Sequence, residues 1–338
     1  MAQNSIIEER RSYLERNREG LQKILDCWQL GKLLSFDIGS LGWANLSCMV
    51  KTESWEFFVR LTLVDRKEQE ALESEVKAIR HLAGKGLPVV QPLSSSGGKY
   101  VERWELEGRE YYILLFPMAR GEAADSLGYS KVRVLGETLG AVQRGLADFP
   151  KNLIKRRFDW VKELGDLDEL MRSKLTIDWP YNEVVSREEA LQRWSEARER
   201  FLNYYFTKEA YFQRLSVNHG DFHLGNLRFE GDRVTAILDF DNLILAPREL
   251  DIAIAAHHLD LSNGLGMRMF KTLVQGYEEF ERLDDADREV VGNLTQFYLW
   301  LRIPWLQHFS SNSIEGERRA LRGVLAGIQN LESLRLGL

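Results

Sequence analysis

One acidic and one amide side chain, Asp221 and Asn226, lie within residues 219–226, and a second acidic residue, Asp239, follows a short distance further along the chain. Asp221 is followed by Asn226 after four intervening residues, and residues 227–238 have a hairpin pattern that returns the chain to Asp239. Antiparallel pairing of the hairpin arms would bring Asn226 nearly opposite Asp239. Both side chains offer the oxygen ligands that Mg²⁺ prefers. We therefore predict a site for Mg²⁺ and phosphate at these residues.

Asp221 is placed to contact a substrate. Phosphoryl transfer needs an attacking hydroxyl held in line with the terminal phosphate, and cations that neutralise the charge on the phosphate oxygens. Asp221 lies on the loop before the hairpin, where its carboxylate could accept a hydrogen bond from a substrate hydroxyl. The alternative is that Asp221, Asn226 and Asp239 only form turns. Their apolar surroundings would penalise carboxylates that have no function, so the pattern favours phosphoryl transfer.

A strand and a helix earlier in the chain are predicted to place a cation beside a carboxylate. Residues 55–63 alternate as a strand does, and Arg60 lies on the face opposite to the apolar series. Residues 67–83 have a helical pattern in which Glu75 falls inside the apolar arc. A carboxylate on the core side of a helix needs a cation, so we predict a functional Arg60–Glu75 ion pair. The alternative is a surface pair that contributes little to stability.

Strand patterns predominate before residue 117 and helical patterns after residue 121, which predicts an α+β protein of two lobes. We expect an N-lobe over residues 1–116, a hinge over residues 117–121 and a mainly helical C-lobe over residues 122–338. Helical patterns cover residues 6–30, 131–149, 157–174, 186–206, 249–261 and 267–282, with two more after residue 285.

The order His219-Gly220-Asp221, then Asn226, then Asp239-Phe240-Asp241 resembles the aminoglycoside phosphotransferase and choline kinase superfamily. Protein kinases have a similar spacing, but they carry Arg between the His and the Asp and Gly after the Asp-Phe pair. With Asp-Ile-Ala-Ile at residues 251–254, the motif is most similar to the branch of type II homoserine kinase and the stress-response kinase. The resemblance covers residues 36–259 and implies a bilobal protein-kinase-like fold.

The resemblance implies roles for the residues of the central stretch. Asp221 would be the catalytic base or the residue that orients the hydroxyl, while Asn226 and Asp239 would hold Mg²⁺. Asp251 would brace the catalytic loop from the following helix. For His219 we favour bracing of the backbone over zinc ligation, and for Asp241 a supporting or second-metal role and a helix-capping role both remain open.

The resemblance also implies a nucleotide site for ATP in the N-lobe. Residues 39–45, with Gly39, Ser40 and Gly42, would form the nucleotide-positioning loop, although two glycines also suit an ordinary turn. Arg60 would grip the phosphates, with Glu75 as its partner. The adenine would bond the hinge backbone at Pro117, Met118 and Ala119.

These observations predict an ATP- and Mg²⁺-dependent phosphotransferase that acts on a hydroxyl of an aminoglycoside-, amino alcohol- or homoserine-like molecule. The alternatives are a non-catalytic nucleotide-binding sensor of the same fold and a protein Ser/Thr kinase of the stress-response type. An aromatic run near the C-terminus, from Phe297 to Phe309, fits either a cation-binding box or the core, and Arg302 within it could contact an anionic substrate.

Composition excludes several other classes of protein. The net charge of −6, with no basic stripe, argues against nucleic acid as a partner. No apolar run reaches membrane-spanning length, and the polar N-terminus does not have the pattern of a signal peptide. Cys27 and Cys48 need no disulfide, so we expect a cytoplasmic protein whose partners are ATP and a small molecule.

Overall fold

The computed structural model describes residues 2–38, 45–124, 128–176, 178–306 and 313–333. The chain divides into two compact units, which we call unit 1 (residues 1–121 and 235–241) and unit 2 (residues 122–234 and 242–338). Unit 1 is built on an antiparallel sheet and unit 2 is mainly helical. The predicted α+β class is therefore confirmed.

Five strands form the sheet of unit 1: β1 (Leu33–Asp37), β2 (Leu46–Thr52), β3 (Glu56–Leu63), β4 (Glu102–Leu106) and β5 (Arg109–Pro117). All pairs are antiparallel, and the order is β1-β2-β3-β5-β4. The helices of this unit are α1 (Ala2–Arg16), α2 (Arg18–Cys27) and α3 (Gln69–Gly84). The single helix predicted over residues 6–30 is therefore two helices, which are separated at Asn17.

Strand β3 is buried on both faces. Phe57, Val59 and Leu61 belong to the main apolar cluster of unit 1, which also contains residues of α1 and α2. On the other face, the side chains of Arg60 and Thr62 are buried too, with 5% and 2% of their surface exposed. A cation at this depth needs a carboxylate partner, because an unpaired buried charge is strongly destabilising.

The helices of unit 2 are α4 (Tyr129–Leu146), α5 (Trp160–Lys174), α6 (Arg187–Thr207), α7 (Glu209–Phe212), α8 (Glu249–His257), α9 (Gly264–Glu278), α10 (Asp285–Arg302) and α11 (Ile314–Ser333). Most of them match the predicted segments, whereas the short α7 was not predicted. Across the described ranges, each helix is too short or too polar to span a bilayer.

Four short strands flank the acidic stretch: β6 (Ser216–Asn218), β7 (Leu227–Glu230), β8 (Arg233–Ile237) and β9 (Ile244–Ala246). Strands β7 and β8 form the predicted hairpin, and β6 pairs with β9 in a second two-stranded sheet. The β6–β9 pair was not predicted, because three-residue strands carry too little pattern. This pairing holds together both ends of the segment that contains residues 219–243.

The late aromatic residues lie mostly in the core of unit 2. Phe297 and Trp300 of α10 are each 2% exposed, and Phe297 packs against Trp160 with ring centroids 5.4 Å apart. Trp305 is partly exposed, while His308 and Phe309 lie outside the described residues. The core interpretation of this run is thus the better one for Phe297 and Trp300.

Candidate active site

The loop of residues 219–226 follows β6 and is held by a carboxylate from α8. Asp251 Oδ2 accepts a hydrogen bond from the backbone N–H of His219 at 2.7 Å, and Oδ1 accepts one from Gly220 at 2.8 Å. Asp251 is fully buried, and this burial raises its pKa to about 6 although the two N–H groups oppose the shift. The side chain therefore lies where the resemblance implied a brace.

Gly220 has a conformation that other residues adopt only at a cost. Its φ is +82°, in the left-handed region. A Cβ at this position would lie 2.0 Å from the carbonyl oxygen of Asn242, which is backbone and cannot rotate away. The Gly between the His and the Asp of the motif is thus required by both the backbone angle and the close approach of a second chain segment.

The side chain of His219 makes contacts within the loop. Its ring is fully buried, and Nδ1 accepts the backbone N–H of Asp221 at 3.3 Å. The ring also packs edge-on against Phe222, with centroids 5.3 Å apart. These contacts fit the bracing role that we favoured over zinc ligation.

Asp221 projects from this braced loop as a partly exposed carboxylate. Burial by itself would raise its pKa, but the imidazole of His223, with a smaller contribution from His219, outweighs that effect and leaves the pKa lowered. The carboxylate is therefore ionised at neutral pH. An anionic oxygen of this kind can accept a proton or a hydrogen bond from an alcohol.

Asn226 contacts Asp221 through its amide nitrogen. Nδ2 donates to the backbone carbonyl of Asp221 at 2.8 Å and lies 3.4 Å from Oδ2 of the same residue. The amide oxygen is then the atom that could ligate a metal, and it is a hard donor of the type that Mg²⁺ binds. The carboxylate of Asp239 offers oxygen atoms of the same hard type.

The rings of His223, His258 and His257 contact one another in a row that begins beside Asp221. His223 Nε2 is 3.6 Å from Asp221 Oδ1, and the His223 and His258 rings are stacked with centroids 4.3 Å apart. His257 contacts the ring of His258, and its Nδ1 lies 2.6 Å from the carbonyl oxygen of Ile254. Loss of solvent, together with the neighbouring His257 and His223, lowers the pKa of His258, so this ring is neutral.

Asp221, His223 and His258 also offer ligand atoms that all lie within 4.8 Å of one another, a spacing that a metal ion could use. However, His223 Nδ1 accepts the backbone N–H of Gly225 at 3.1 Å. In a neutral imidazole this places the proton on Nε2, which faces Asp221. The geometry therefore suits a donor–acceptor contact better than a metal centre.

The Arg60–Glu75 pair in unit 1 has the geometry of a buried ion pair. Arg60 Nη2 lies 2.7 Å from each carboxylate oxygen of Glu75, whose side chain is 2% exposed. Arg60 Nη1 lies 3.8 Å from Asp239 Oδ1, and its guanidinium is 5.6 Å from the centroid of the Phe116 ring. Arg60 thus connects the helix carboxylate to Asp239.

Lys67 is a cation of this site that the sequence analysis missed. Its ammonium donates to the backbone carbonyl of Asp241 and lies 3.8 Å from Glu75 Oε2. Burial lowers the pKa of Lys67, while the carboxylates of Glu75 and Asp241 oppose that shift. The position of Lys67 between a strand and a helix gave no pattern from which its role could be read.

Asp239 has an unusual backbone angle, and Asp241 makes a side-chain hydrogen bond within unit 1. Asp239 has a φ of +63°, which is uncommon for a residue with a side chain and is tolerated best by Asp and Asn. Asp241 Oδ2 accepts a hydrogen bond from Asn45 Nδ2 at 3.1 Å, and Asn45 Oδ1 in turn accepts one from Thr62 at 2.9 Å. These hydrogen bonds fit the supporting role that the sequence left open for Asp241.

Several of the expected nucleotide contacts remain predictions. Gly39, Ser40 and Gly42 lie outside the described residues. Pro117 ends β5, and Met118 and Ala119 follow it at least partly accessible. Asn226 belongs to unit 2 and Asp239 to unit 1, so their joint ligation of one metal also stays a prediction.

Comparison with known proteins identifies a family. The model of the phosphotransferase enzyme family (APH) matches residues 39–289. A homoserine kinase of Zymomonas mobilis subsp. mobilis is 25% identical over 283 residues, which are 82% of this chain and 82% of the relative. The resemblance seen in the sequence is thus confirmed.

Solved structures show the same fold. A microcompartment-associated aminopropanol kinase matches with a TM-score of 0.72 at 18% identity, over 93% of this chain and 96% of the other. An amicoumacin kinase in complex with AMP-PNP, Ca²⁺ and Ami matches with a TM-score of 0.67 at 18% identity, over 94% of this chain and 93% of the other. The predicted bilobal, protein-kinase-like fold is confirmed.

Proposed function

Because the chain belongs to the phosphotransferase enzyme family, and is a kinase that acts on hydroxyl groups, we propose that it transfers the γ-phosphate of ATP to a small molecule. The observation that carries this proposal is the ionised Asp221 on a loop whose backbone is held by the buried Asp251. A rigidly held carboxylate can orient an alcohol for in-line attack.

The proposal divides the work among the named residues. Asp221 accepts the hydrogen bond of the attacking hydroxyl. Arg60 binds phosphate oxygens, and Glu75 holds its guanidinium in place. Asn226 and Asp239 are the proposed ligands of Mg²⁺, which would neutralise charge on the phosphate oxygens when bound.

The acceptor is proposed as a small amino alcohol, homoserine-like amino acid or aminoglycoside. The homoserine kinase and the aminopropanol kinase among the similar proteins support the first two of these classes. A coupled assay of ADP release over these three classes, with Mg²⁺ and ATP, identifies the substrate. ATP turnover that no acceptor of any class increases would favour the alternative of a nucleotide-binding sensor.

Asp221→Asn provides the test of mechanism. Removing a group that takes the proton of the nucleophile lowers turnover by about 10²- to 10⁴-fold, while the Kd for ATP should change little because the nucleotide contacts are proposed elsewhere. Asp232→Asn is the matched control, since Asp232 is exposed at the hairpin turn. If the Asp221→Asn variant retained full activity, the proposed role of Asp221 would be wrong.

A further inference from the structure

His223 lies in a narrow slot of the catalytic loop. A Cβ on Gly225 would be 2.7 Å from His223 Cε1 and 2.9 Å from Nδ1, so the imidazole occupies the space that any other residue at 225 would fill. Gly225 also donates its backbone N–H to His223 Nδ1 at 3.1 Å. The ring is thus fixed along one edge by a hydrogen bond and a close contact with the same glycine.

The other side of the ring is covered by His258. The two imidazoles are stacked, with centroids 4.3 Å apart and planes 28° apart. His258 is itself in contact with His257, the last residue of α8. The stack connects the loop to the helix that carries Asp251, and this contact limits rotation of the His223 side chain.

These contacts determine which nitrogen of His223 carries the proton. Nδ1 accepts a hydrogen bond, so in the neutral ring the proton is on Nε2. Nε2 lies 3.6 Å from Asp221 Oδ1. That is longer than an ordinary hydrogen bond, and the interaction is therefore one of an N–H dipole directed at a carboxylate.

We propose that His223 is a positioning residue for phosphoryl transfer: fixed by Gly225 and His258, it directs its Nε2–H at Asp221 and holds that carboxylate toward the acceptor hydroxyl. The inference rests on the proposed function of Asp221. His258 acts through the face of its ring and not through a nitrogen. Gly225 is required because His223 occupies its side-chain space.

Two substitutions separate the nitrogens of His223. In Gln the amide N–H can take the place of Nε2–H, whereas in Asn the amide group reaches only the position of Nδ1. We expect His223→Asn to lower kcat by about 10- to 100-fold, because a carboxylate that is no longer held toward the hydroxyl is misplaced for in-line attack, with a KM for ATP within about threefold of wild type. His223→Gln should recover most of kcat.

The fixing of the His223 ring by Gly225 is tested by a double-mutant cycle. Gly225→Ala should lower kcat in the wild-type background, because its Cβ displaces the imidazole. In the His223→Asn background the same change should cost less than about twofold, since the ring is gone. His258→Phe should retain kcat, because Phe keeps a ring stacked on His223. His258→Ala should lower kcat, because Ala has no ring.

The outcomes distinguish this inference from the proposed function. Full activity of Asp221→Asn overturns the role of Asp221 and with it the inference. An inactive Asp221→Asn with unchanged kcat for His223→Asn overturns the inference alone. It is also overturned if His223→Gln and His223→Asn lose kcat equally and both lower the midpoint of thermal unfolding, because the ring would then be only structural.

Discussion

One guanidinium nitrogen of Arg60 lies 2.7 Å from both carboxylate oxygens of Glu75, and both side chains are almost fully buried. The pair joins strand β3 to helix α3. Removing one charge of such a pair leaves the other buried without full compensation, and this costs more than the pair itself contributes.

Glu75→Gln should therefore lower the free energy of unfolding by roughly 3 kcal/mol and raise the KM for ATP. Urea denaturation and steady-state kinetics measure the two effects. Glu73→Gln on the same helix is the control, because Glu73 is partly exposed and, among the described residues, accepts a hydrogen bond only from Gln69. Equal stabilities of the two variants would contradict the burial argument.

Gly220→Ala should abolish most activity and destabilise unit 2. The new Cβ would meet the carbonyl oxygen of Asn242 at 2.0 Å, in addition to the strain of a positive φ. Gly231→Ala is the matched control, since Gly231 has a φ of +61° but no atom within 4 Å of the added Cβ. The expected loss is at least about tenfold in kcat for residue 220 and little for residue 231.

Asp251 should make stability depend on pH between about 4 and 6. Its folded pKa of about 6 lies above the ordinary aspartate value of about 3.9. In this window the folded chain holds a proton that the unfolded chain has released, so the contribution of Asp251 to stability falls as pH rises.

The comparison is between wild type and Asp251→Asn by urea denaturation at pH 4.5 and 6.5. The free energy of unfolding of wild type, relative to the variant, should decrease between the two values. The variant should also lower kcat at both pH values, because Asn offers one acceptor oxygen to the two N–H groups of the loop. A difference in stability that grows with pH would contradict the raised pKa.

Asp239→Asn tests the metal site. Asn tolerates the positive φ of residue 239, so the backbone should persist while a charged ligand is lost. We expect the Mg²⁺ concentration for half-maximal activity to rise at least about tenfold, and EDTA to abolish activity of the wild type. Asp232→Asn should leave the Mg²⁺ dependence unchanged; an unaltered dependence in Asp239→Asn would exclude residue 239 as a ligand.

Much of the candidate site could be predicted because the proposed chemistry depends on residues that are close in sequence. Asp221, Asn226 and Gly220 lie within a few positions of one another, so their spacing could be read directly from the sequence. Glu75 was recognisable because a carboxylate in an apolar helical arc is unusual. Periodic patterns likewise predicted the helices of unit 2, whereas three-residue strands such as β6 are too short to have a recognisable pattern.

Other features depend on contacts between distant segments, which no local pattern reports. Lys67 reaches the backbone carbonyl of Asp241, and His258 stacks on His223. Glycine is required at position 220 because of the nearby Asn242 carbonyl oxygen. It is required at position 225 because the ring of His223 fills the side-chain space there.

The sequence by itself determined the reaction class, because the motif of residues 219–226, the hairpin after it and the Arg60–Glu75 pair follow from residue type and spacing. Only the tertiary structure decided the charge states and orientations. The pKa of Asp221 is lowered and that of Asp251 is raised by neighbours and by burial that exist only once the chain has folded. The electrostatic environment of a group is a property of three-dimensional packing. Two aspartate carboxylates can therefore have opposite pKa shifts in the same protein.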